Sequence, residues 1–139
     1  MKTPDYQLKL RELAPSVVFD VAWSHDEDAR WPKDCGERGD YMPYNTEVTA
    51  RAIVGGEEVE GRACMGGTWE IPGKMDPEIG GYLPQMLEEA ASELITQRRI
   101  PLKIQIELRA VIAFLKTLMR QRWEEQQKEK ETALAETMP

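Results

Sequence analysis

Alternating apolar and polar residues identify the first element with a clear period. From about residue 16 to residue 23, every second side chain is apolar, which is the two-residue repeat of a half-buried β-strand. The apolar members of this repeat are Val17, Phe19, Val21 and Trp23. The preceding residues 6–13 fit either a short strand or a short helix, and Pro15 ends whichever of the two forms.

A second pattern, two alternating runs around a pair of glycines, predicts a β-hairpin. The runs cover residues 46–54 and 57–65, and Gly55-Gly56 between them suits a tight primed turn. A two-residue turn places Arg51 opposite Glu60, a complementary cross-strand pair. The other face of the hairpin then gathers small side chains, so we expect a helix to approach it closely. These small residues are Ala50, Ala52, Gly61 and Ala63.

The chain beyond the hairpin predicts a strand extension and two helices. Trp69 and Ile71 continue the alternation of the third strand past a glycine bulge. Apolar residues then recur at helical spacing over about residues 83–99 and again over about 102–124. Pro101 separates the two helices, because proline disrupts a helix interior.

This order of elements indicates an α+β fold. We expect a three-stranded antiparallel sheet, with strands near 16–23, 46–54 and 57–65, and two C-terminal helices packed on one of its faces. Residues 1–123 would form a single domain that carries a long loop at 24–44. The charged residues 124–139 are expected to be frayed or disordered, since they offer little apolar surface to bury.

Length and composition restrict the class of protein. The chain has 139 residues, of which 41% are hydrophobic and 31% charged, and this fits one globular domain. No apolar stretch approaches the ~20 residues of a spanning helix, and we expect no secretory signal and no membrane crossing. Two cysteines do not make a disulfide framework, so we expect a reducing compartment, the cytoplasm.

The formal net charge of −7 is concentrated in one third of the chain. Residues 20–60 carry eleven acids and four bases, whereas residues 98–122 carry seven bases and one acid. Direct nucleic-acid binding is disfavoured for such an acidic chain because phosphates repel it. An asymmetry of this kind indicates interaction surfaces, with solvated faces that keep the protein soluble as the simpler alternative.

Candidate catalytic and metal-binding residues are few. The sequence has one histidine, His25, and two thiols, Cys35 and Cys64. These residues lack the paired close spacing of structural zinc sites, and the acids that begin at Asp26 fail the calcium-loop pattern. No phosphate-binding glycine motif occurs either. We therefore expect no catalytic residue, no metal and no cofactor, and a protein that is not an enzyme.

Acidic and aromatic residues are interleaved within the segment 24–44. Carboxylates spaced along a surface resemble the charges of a phosphate backbone, and aromatic rings supply the anchoring area that interfaces favour. This segment therefore predicts a surface that occludes a basic site on a protein partner. The residues expected to contact the partner are Asp26, Glu27, Asp28, Trp31, Asp34, Glu37, Asp40, Tyr41 and Tyr44.

A row of bases along the C-terminal part of the chain supports an alternative function. Arginines in such a row suit phosphate or carboxylate groups, so the alternative is a protein that binds or sequesters a nucleotide-like anion. A homodimer is compatible with both hypotheses, because a second copy offers the complementary charge. The residues of this row are Arg98, Arg99, Arg109, Lys116 and Arg120.

In size and charge the chain resembles the small acidic anti-defence proteins of phages, including anti-CRISPR proteins. The resemblance is one of kind: it rests on length, on the acidic and aromatic segment 20–44 and on the absence of catalytic spacing. It implies a non-enzymatic inhibitor that docks on a nucleic-acid-handling complex in the host cytoplasm.

Overall fold

A computed structural model of the chain describes residues 5–72, 82–97 and 100–137. It confirms an α+β fold built from three helices and one three-stranded antiparallel sheet. In chain order the elements are α1 (Asp5–Leu13), β1 (Val18–His25), a single 3-10 turn (Lys33–Cys35), β2 (Met42–Val54), β3 (Glu57–Glu70), α2 (Tyr82–Ile95) and α3 (Leu102–Thr137). Within the described ranges, no helix combines the length and the apolar character needed to span a membrane.

The hairpin register predicted from the two glycines is confirmed. Val54 lies opposite Glu57, and Arg51 lies opposite Glu60. Gly55 and Gly56 both have positive φ angles, 59° and 83°, which a type I′ turn requires at its two central positions. Strand β2 is the central strand, because β1 pairs with its other edge in antiparallel register.

The expected glycine bulge is also present, and it lengthens the hairpin. Thr46 pairs with Met65 but Tyr44 pairs with Thr68, so β3 uses one more residue than β2 over this stretch. Gly67 has a φ of 66°, a left-handed conformation that favours glycine. Strands β2 and β3 therefore run beyond the predicted bounds of 46–54 and 57–65: β2 begins at Met42 and β3 ends at Glu70. Trp69 lies in β3 as predicted, but Ile71 lies just outside it.

Helix α2 packs directly against β2 and β3, on the face lined by the small residues. The α2 backbone lies so close to Gly61 that a Cβ atom at this position would overlap the carbonyl oxygen of Ala90 and the amide nitrogen of Leu94. Helix α3 packs mainly against α2 and contacts α1, so the two C-terminal helices form successive layers on one side of the sheet.

The ambiguous N-terminal segment forms the helix α1. Its Leu10 is buried with Ala14 in the same core as α2 and α3, which explains why the helical alternative prevails. A buried carboxylate fixes the connection from α1 to β1: Glu107 of α3, only 8% exposed, accepts a hydrogen bond of 2.9 Å from the Ser16 amide.

Further predicted boundaries need correction. Strand β1 begins at Val18, not near residue 16 as predicted. The loop at 24–44 is shorter, because Ser24 and His25 extend β1 by pairing with Asn45 and Tyr44 of β2. Helix α2 ends at Ile95, before the expected residue 99. Helix α3 continues past residue 124 to Thr137, since Glu, Lys, Gln and Ala are strong helix formers even without burial. The division into a domain of 1–123 and a frayed tail stays a prediction.

Candidate functional site

The segment between β1 and β2, residues 26–41, is the candidate site, and we call it the acidic loop. Asp26 fixes its start: the Asp26 amide donates to the Pro43 carbonyl at 3.0 Å, and its carboxylate accepts from the Asp28 amide at 3.2 Å and from the Gly67 amide at 2.9 Å. The loop is thereby attached to the bulge of β3. Asp26 was predicted to contact a partner, and the structure gives it this internal role.

Trp31 organises the middle of the acidic loop. Its ring stacks on Tyr41 with centroids 5.7 Å apart and meets Trp69 edge-on at 4.9 Å. Its Nε1 donates a hydrogen bond of 2.8 Å to the Gly36 carbonyl. These contacts join the two halves of the loop to each other and to β3, so the segment has a defined conformation.

Sequence reasoning missed Trp69, because its contact depends on the bulge. In an unbroken strand, Trp69 would share the α2 side with Ala63 and Met65. The extra residue at the bulge shifts the phase by one: the Thr68 hydroxyl now reaches Thr46 at 3.3 Å on the α2 side, and Trp69 lies on the opposite side with the loop. In the sequence, Gly66 and Gly67 indicated the bulge that moves Trp69 to this side of the sheet.

Most carboxylates of the acidic loop face solvent without an ion pair to any described residue. The loop carries six acids and three bases, a net charge of −3. Among the contacts to described residues, Arg38 is the base of the loop with a polar side-chain contact: its Nη2 lies 3.5 Å from the sulfur of Met42. The exposed, unpaired acids are Glu27, Asp28, Asp34, Glu37 and Asp40.

The aromatic residues predicted to contact a partner occupy different environments. Tyr41 is 41% exposed, while Trp31 is half-buried beneath it. Tyr44 lies within β2 and makes an edge-on contact with His25, with ring centroids 6.4 Å apart. Among the predicted rings, the acidic loop therefore combines Trp31 with Tyr41 and leaves Tyr44 in the sheet.

The sheet face opposite α2 carries a ladder of charges beside the loop. Arg51 forms ion pairs with Asp20 and with Glu58, although its cross-strand neighbour is Glu60. Glu60 instead pairs with Arg62 at 2.6 Å, and this hydrogen bond, together with the charges of Glu60 and Glu47, raises the pKa of the exposed Arg62 guanidinium. The arginines of this face are thus engaged with neighbouring acids.

A second polar contact attaches α2 to the end of β3. The Tyr82 hydroxyl donates a hydrogen bond of 2.8 Å to the Glu70 carboxylate. Burial, and after it this hydrogen bond, raises the pKa of Tyr82 above its ordinary value of about 10. Both effects favour the neutral phenol.

The structure does not join the histidine to either thiol. His25 Nδ1 lies 3.2 Å from the Pro43 carbonyl, and no hydrogen bond connects the ring to Cys35 or Cys64. Both thiols are free and exposed, Cys35 in the 3-10 turn and Cys64 opposite Glu47 on β3. Across the described ranges, no three or more His, Cys, Asp or Glu side chains are grouped to hold a metal ion.

The predicted row of bases is only partly described. Arg98 and Arg99 lie outside the described residues. Arg109, Lys116 and Arg120 are exposed along one side of α3, over about 16 Å of helix, and the Lys116 ammonium lies 3.7 Å from Glu88 of α2. The structure places these bases on one exposed helix face, where Lys116–Glu88 is their one ion pair to a described residue.

Comparison with protein-family models, with curated proteins and with solved structures finds no match. Function is therefore inferred from geometry and charge alone. The acidic loop, with its ordered backbone and unpaired carboxylates, is the feature with the clearest chemical character. Its surface can attract and contact a cationic partner.

Proposed function

We propose that the chain is a non-enzymatic inhibitor that uses the acidic loop to occlude a basic site on a protein partner. One observation carries the proposal: five exposed carboxylates, without an ion pair to any described residue, stand on a loop that Trp31 holds in one conformation. Surface carboxylates of a folded domain often pair with neighbouring lysines or arginines, as those of the adjacent sheet face do.

An ordered acidic loop is energetically suited to binding. Because Trp31 already fixes the backbone, association loses less conformational entropy than the ordering of a flexible loop would. The unpaired carboxylates accelerate encounter with a positively charged surface, and Tyr41 adds a large exposed ring that can be buried at the contact. The Tyr41 ring stacks on Trp31, so it is already positioned for this contact before the partner binds.

The class of partner follows from the charge. A surface with several exposed carboxylates complements an arginine- and lysine-lined cleft, the kind of cleft that contacts phosphates in a nucleic-acid-handling complex. A cytoplasmic role and phage counter-defence are part of the same proposal. The alternative, binding of a nucleotide-like anion on α3, draws no added support from the geometry, because Arg109, Lys116 and Arg120 are spread along one exposed helix face.

The test compares two charge-reversal variants of the full chain. The loop variant carries Asp28→Lys, Asp34→Lys and Glu37→Lys, and it leaves Asp26 in place because Asp26 has an internal role. The control variant carries Glu57→Lys, Glu89→Lys and Glu93→Lys, three exposed acids outside the loop. Each variant, and the wild type, is used to capture proteins from a host lysate, and captured proteins are quantified by mass spectrometry.

We expect one protein to be captured by the wild type and by the control but lost with the loop variant. Titration of that purified protein should then show an affinity at least about tenfold weaker for the loop variant, and a flatter dependence on salt. Equal affinity of the two variants would refute the proposal. Circular dichroism of each variant confirms that all three proteins are folded.

A further inference from the structure

The α2 side of the sheet is covered over β2 but only partly over β1. Phe19 and Val21 of β1 lie opposite Ala50 and Val48 of β2. The two β2 residues are fully buried, whereas the two β1 residues, and Trp23 next along the same face, are only half-buried. Because α2 packs on β2 and β3, apolar surface of β1 stays accessible at the side of the sheet.

A groove of about 250 Å³ lies between this part of β1 and the helices α1 and α2. The three apolar side chains of β1 line it, together with the buried Leu10 of α1 and Leu87 of α2. Gln7 and Arg11 of α1 add polar groups. The volume is below the ~300–1,000 Å³ of most small-molecule pockets, so the groove suits inserted side chains better than a whole small molecule.

The register of the sheet determines which peptide groups of β1 are free. The pair that flanks a two-residue turn is hydrogen-bonded, and hydrogen-bonded and open pairs then alternate along β2, so its odd-numbered residues 45–51 face β1. The hydrogen bond of 3.0 Å from the Asp26 amide to the Pro43 carbonyl follows the same alternation. The peptide groups of the three apolar β1 residues therefore point to the open edge, and none hydrogen-bonds to a described residue.

The two outer strands of the sheet differ in how their free edges are protected. Strand β3 carries the charged residues Glu58, Glu60 and Arg62 along its edge and is interrupted by its bulge, and both features discourage the addition of another strand. Strand β1 pairs with β2 without a register shift, and its Asp20 carboxylate is engaged by Arg51 of β2. The β1 edge is therefore the one suited to accept a further strand.

We propose that β1 and its groove bind an extended peptide segment of a second protein as an added strand. The backbone of the segment would pair with the free peptide groups of β1, and its alternate apolar side chains would enter the groove. Arg11 is exposed and has no ion pair to a described residue, whereas Lys9 on the same helix lies 3.5 Å from Glu12. An Asp or Glu side chain of the segment complements Arg11.

The test selects peptides from a phage-displayed library of random sequences, each about ten residues long, against the full chain. Enriched peptides are synthesised, and their Kd values are measured by fluorescence anisotropy. Val21→Pro removes one free amide at a sheet edge, where proline is tolerated, and Arg11→Glu reverses the charge beside the groove. The matched controls are Glu60→Pro on the β3 edge and Lys9→Glu on α1.

We expect enriched peptides to alternate apolar and polar residues and to contain an acid. Their Kd should be at least about tenfold weaker for Val21→Pro and for Arg11→Glu, and unchanged for both controls. Replacing the acid of the peptide by lysine should restore binding to Arg11→Glu. With the wild-type chain, N-methylation of one set of alternate peptide amides should abolish binding and methylation of the other set should not, a result that does not depend on how the variants fold.

The charge-reversed acidic-loop variant should bind these peptides as the wild type does, so this proposal and the proposed inhibitor function fail separately. A library without enrichment, enriched peptides that are uniformly basic, or equal sensitivity of both sets of amides to methylation would each overturn the proposal. Decanoate is an apolar anion without peptide groups. If it binds in an Arg11-dependent manner while no peptide does, the groove is a small-ligand pocket and the proposal is wrong.

Discussion

Gly61 shows how a single residue determines the distance between the sheet and α2. The glycine occupies β3 directly beneath the α2 backbone, where a side chain would meet main-chain atoms of Ala90 and Leu94. Backbone atoms of a packed helix cannot rotate away as the end of a flexible side chain can. The close approach of α2 to the sheet therefore depends on the absence of one methyl group.

We expect Gly61→Ala to destabilise the fold by about 1–3 kcal/mol, the usual cost of overpacking a filled interior. The free energy of unfolding from urea titration measures the effect. Gly66→Ala is the matched control on the same strand, because its Cβ atom would meet only the Asn45 side-chain oxygen at 3.0 Å and the Asp26 carboxylate at 3.5 Å. Equal losses for the two variants would contradict the assigned role of Gly61.

Tyr82 links α2 to β3 through a proton that the folded state holds more tightly than the unfolded state. Because its pKa is raised by burial and by the Glu70 contact, its contribution to stability is complete below pH of about 10. That contribution is lost as the pH rises through the higher folded-state pKa, since the unfolded chain releases the proton first.

Tyr82→Phe should therefore remove part of the alkaline loss of stability, while it costs about 1 kcal/mol at neutral pH through the lost hydrogen bond. Urea titrations at neutral and alkaline pH measure both quantities. Tyr41→Phe, which removes an exposed phenol hydroxyl, is the matched control. An alkaline loss that is identical in wild type and in Tyr82→Phe would refute this account.

At the scale of elements, Trp31 holds the middle of the acidic loop. Trp31 contacts Tyr41 and Trp69 and donates to Gly36, so Trp31→Ala removes three supports at once. We expect limited proteolysis to cut within residues 26–41 at least several times faster, with a smaller change in the free energy of unfolding, because local opening requires less energy than global unfolding. Trp123→Ala, at a site 61% exposed on α3, provides the control and should leave loop cleavage unchanged.

The hairpin and the helices could be predicted from the sequence because their patterns are local. Gly55-Gly56 determines the hairpin register, and the small residues of β2 and β3 anticipate the approach of α2. The ion partners of Arg51 could not be predicted in the same way. Its cross-strand neighbour is Glu60, but Asp20 on the other adjacent strand and Glu58 lie closer to its guanidinium.

The support of the acidic loop is the least local part of the structure, and the sequence showed only its charge. Asp26 reaches an amide 41 positions later, at Gly67, and the Trp31–Trp69 contact exists only because the bulge turns Trp69 towards the loop. Such contacts depend on tertiary geometry that periodicity does not contain. The long α3 was likewise hidden, because its second half shows charge but no buried stripe.

At the scale of the whole molecule, the acidic loop and the exposed bases of α3 lie on separate surfaces. The acidic loop lies at the sheet, and the exposed bases Arg109 and Arg120 lie on α3, two layers away.

The bulge at Gly66-Gly67 also links the position of the acidic loop to the contact between β3 and α2. It directs Trp69 to the acidic loop and leaves the next residue, Glu70, on the side where Tyr82 of α2 binds it. Losing or gaining one residue there would exchange the two faces at once. During evolution, insertions and deletions should therefore be tolerated in the exposed part of the loop but not at these two glycines. A change of length there would disrupt the loop contact and the α2 contact together.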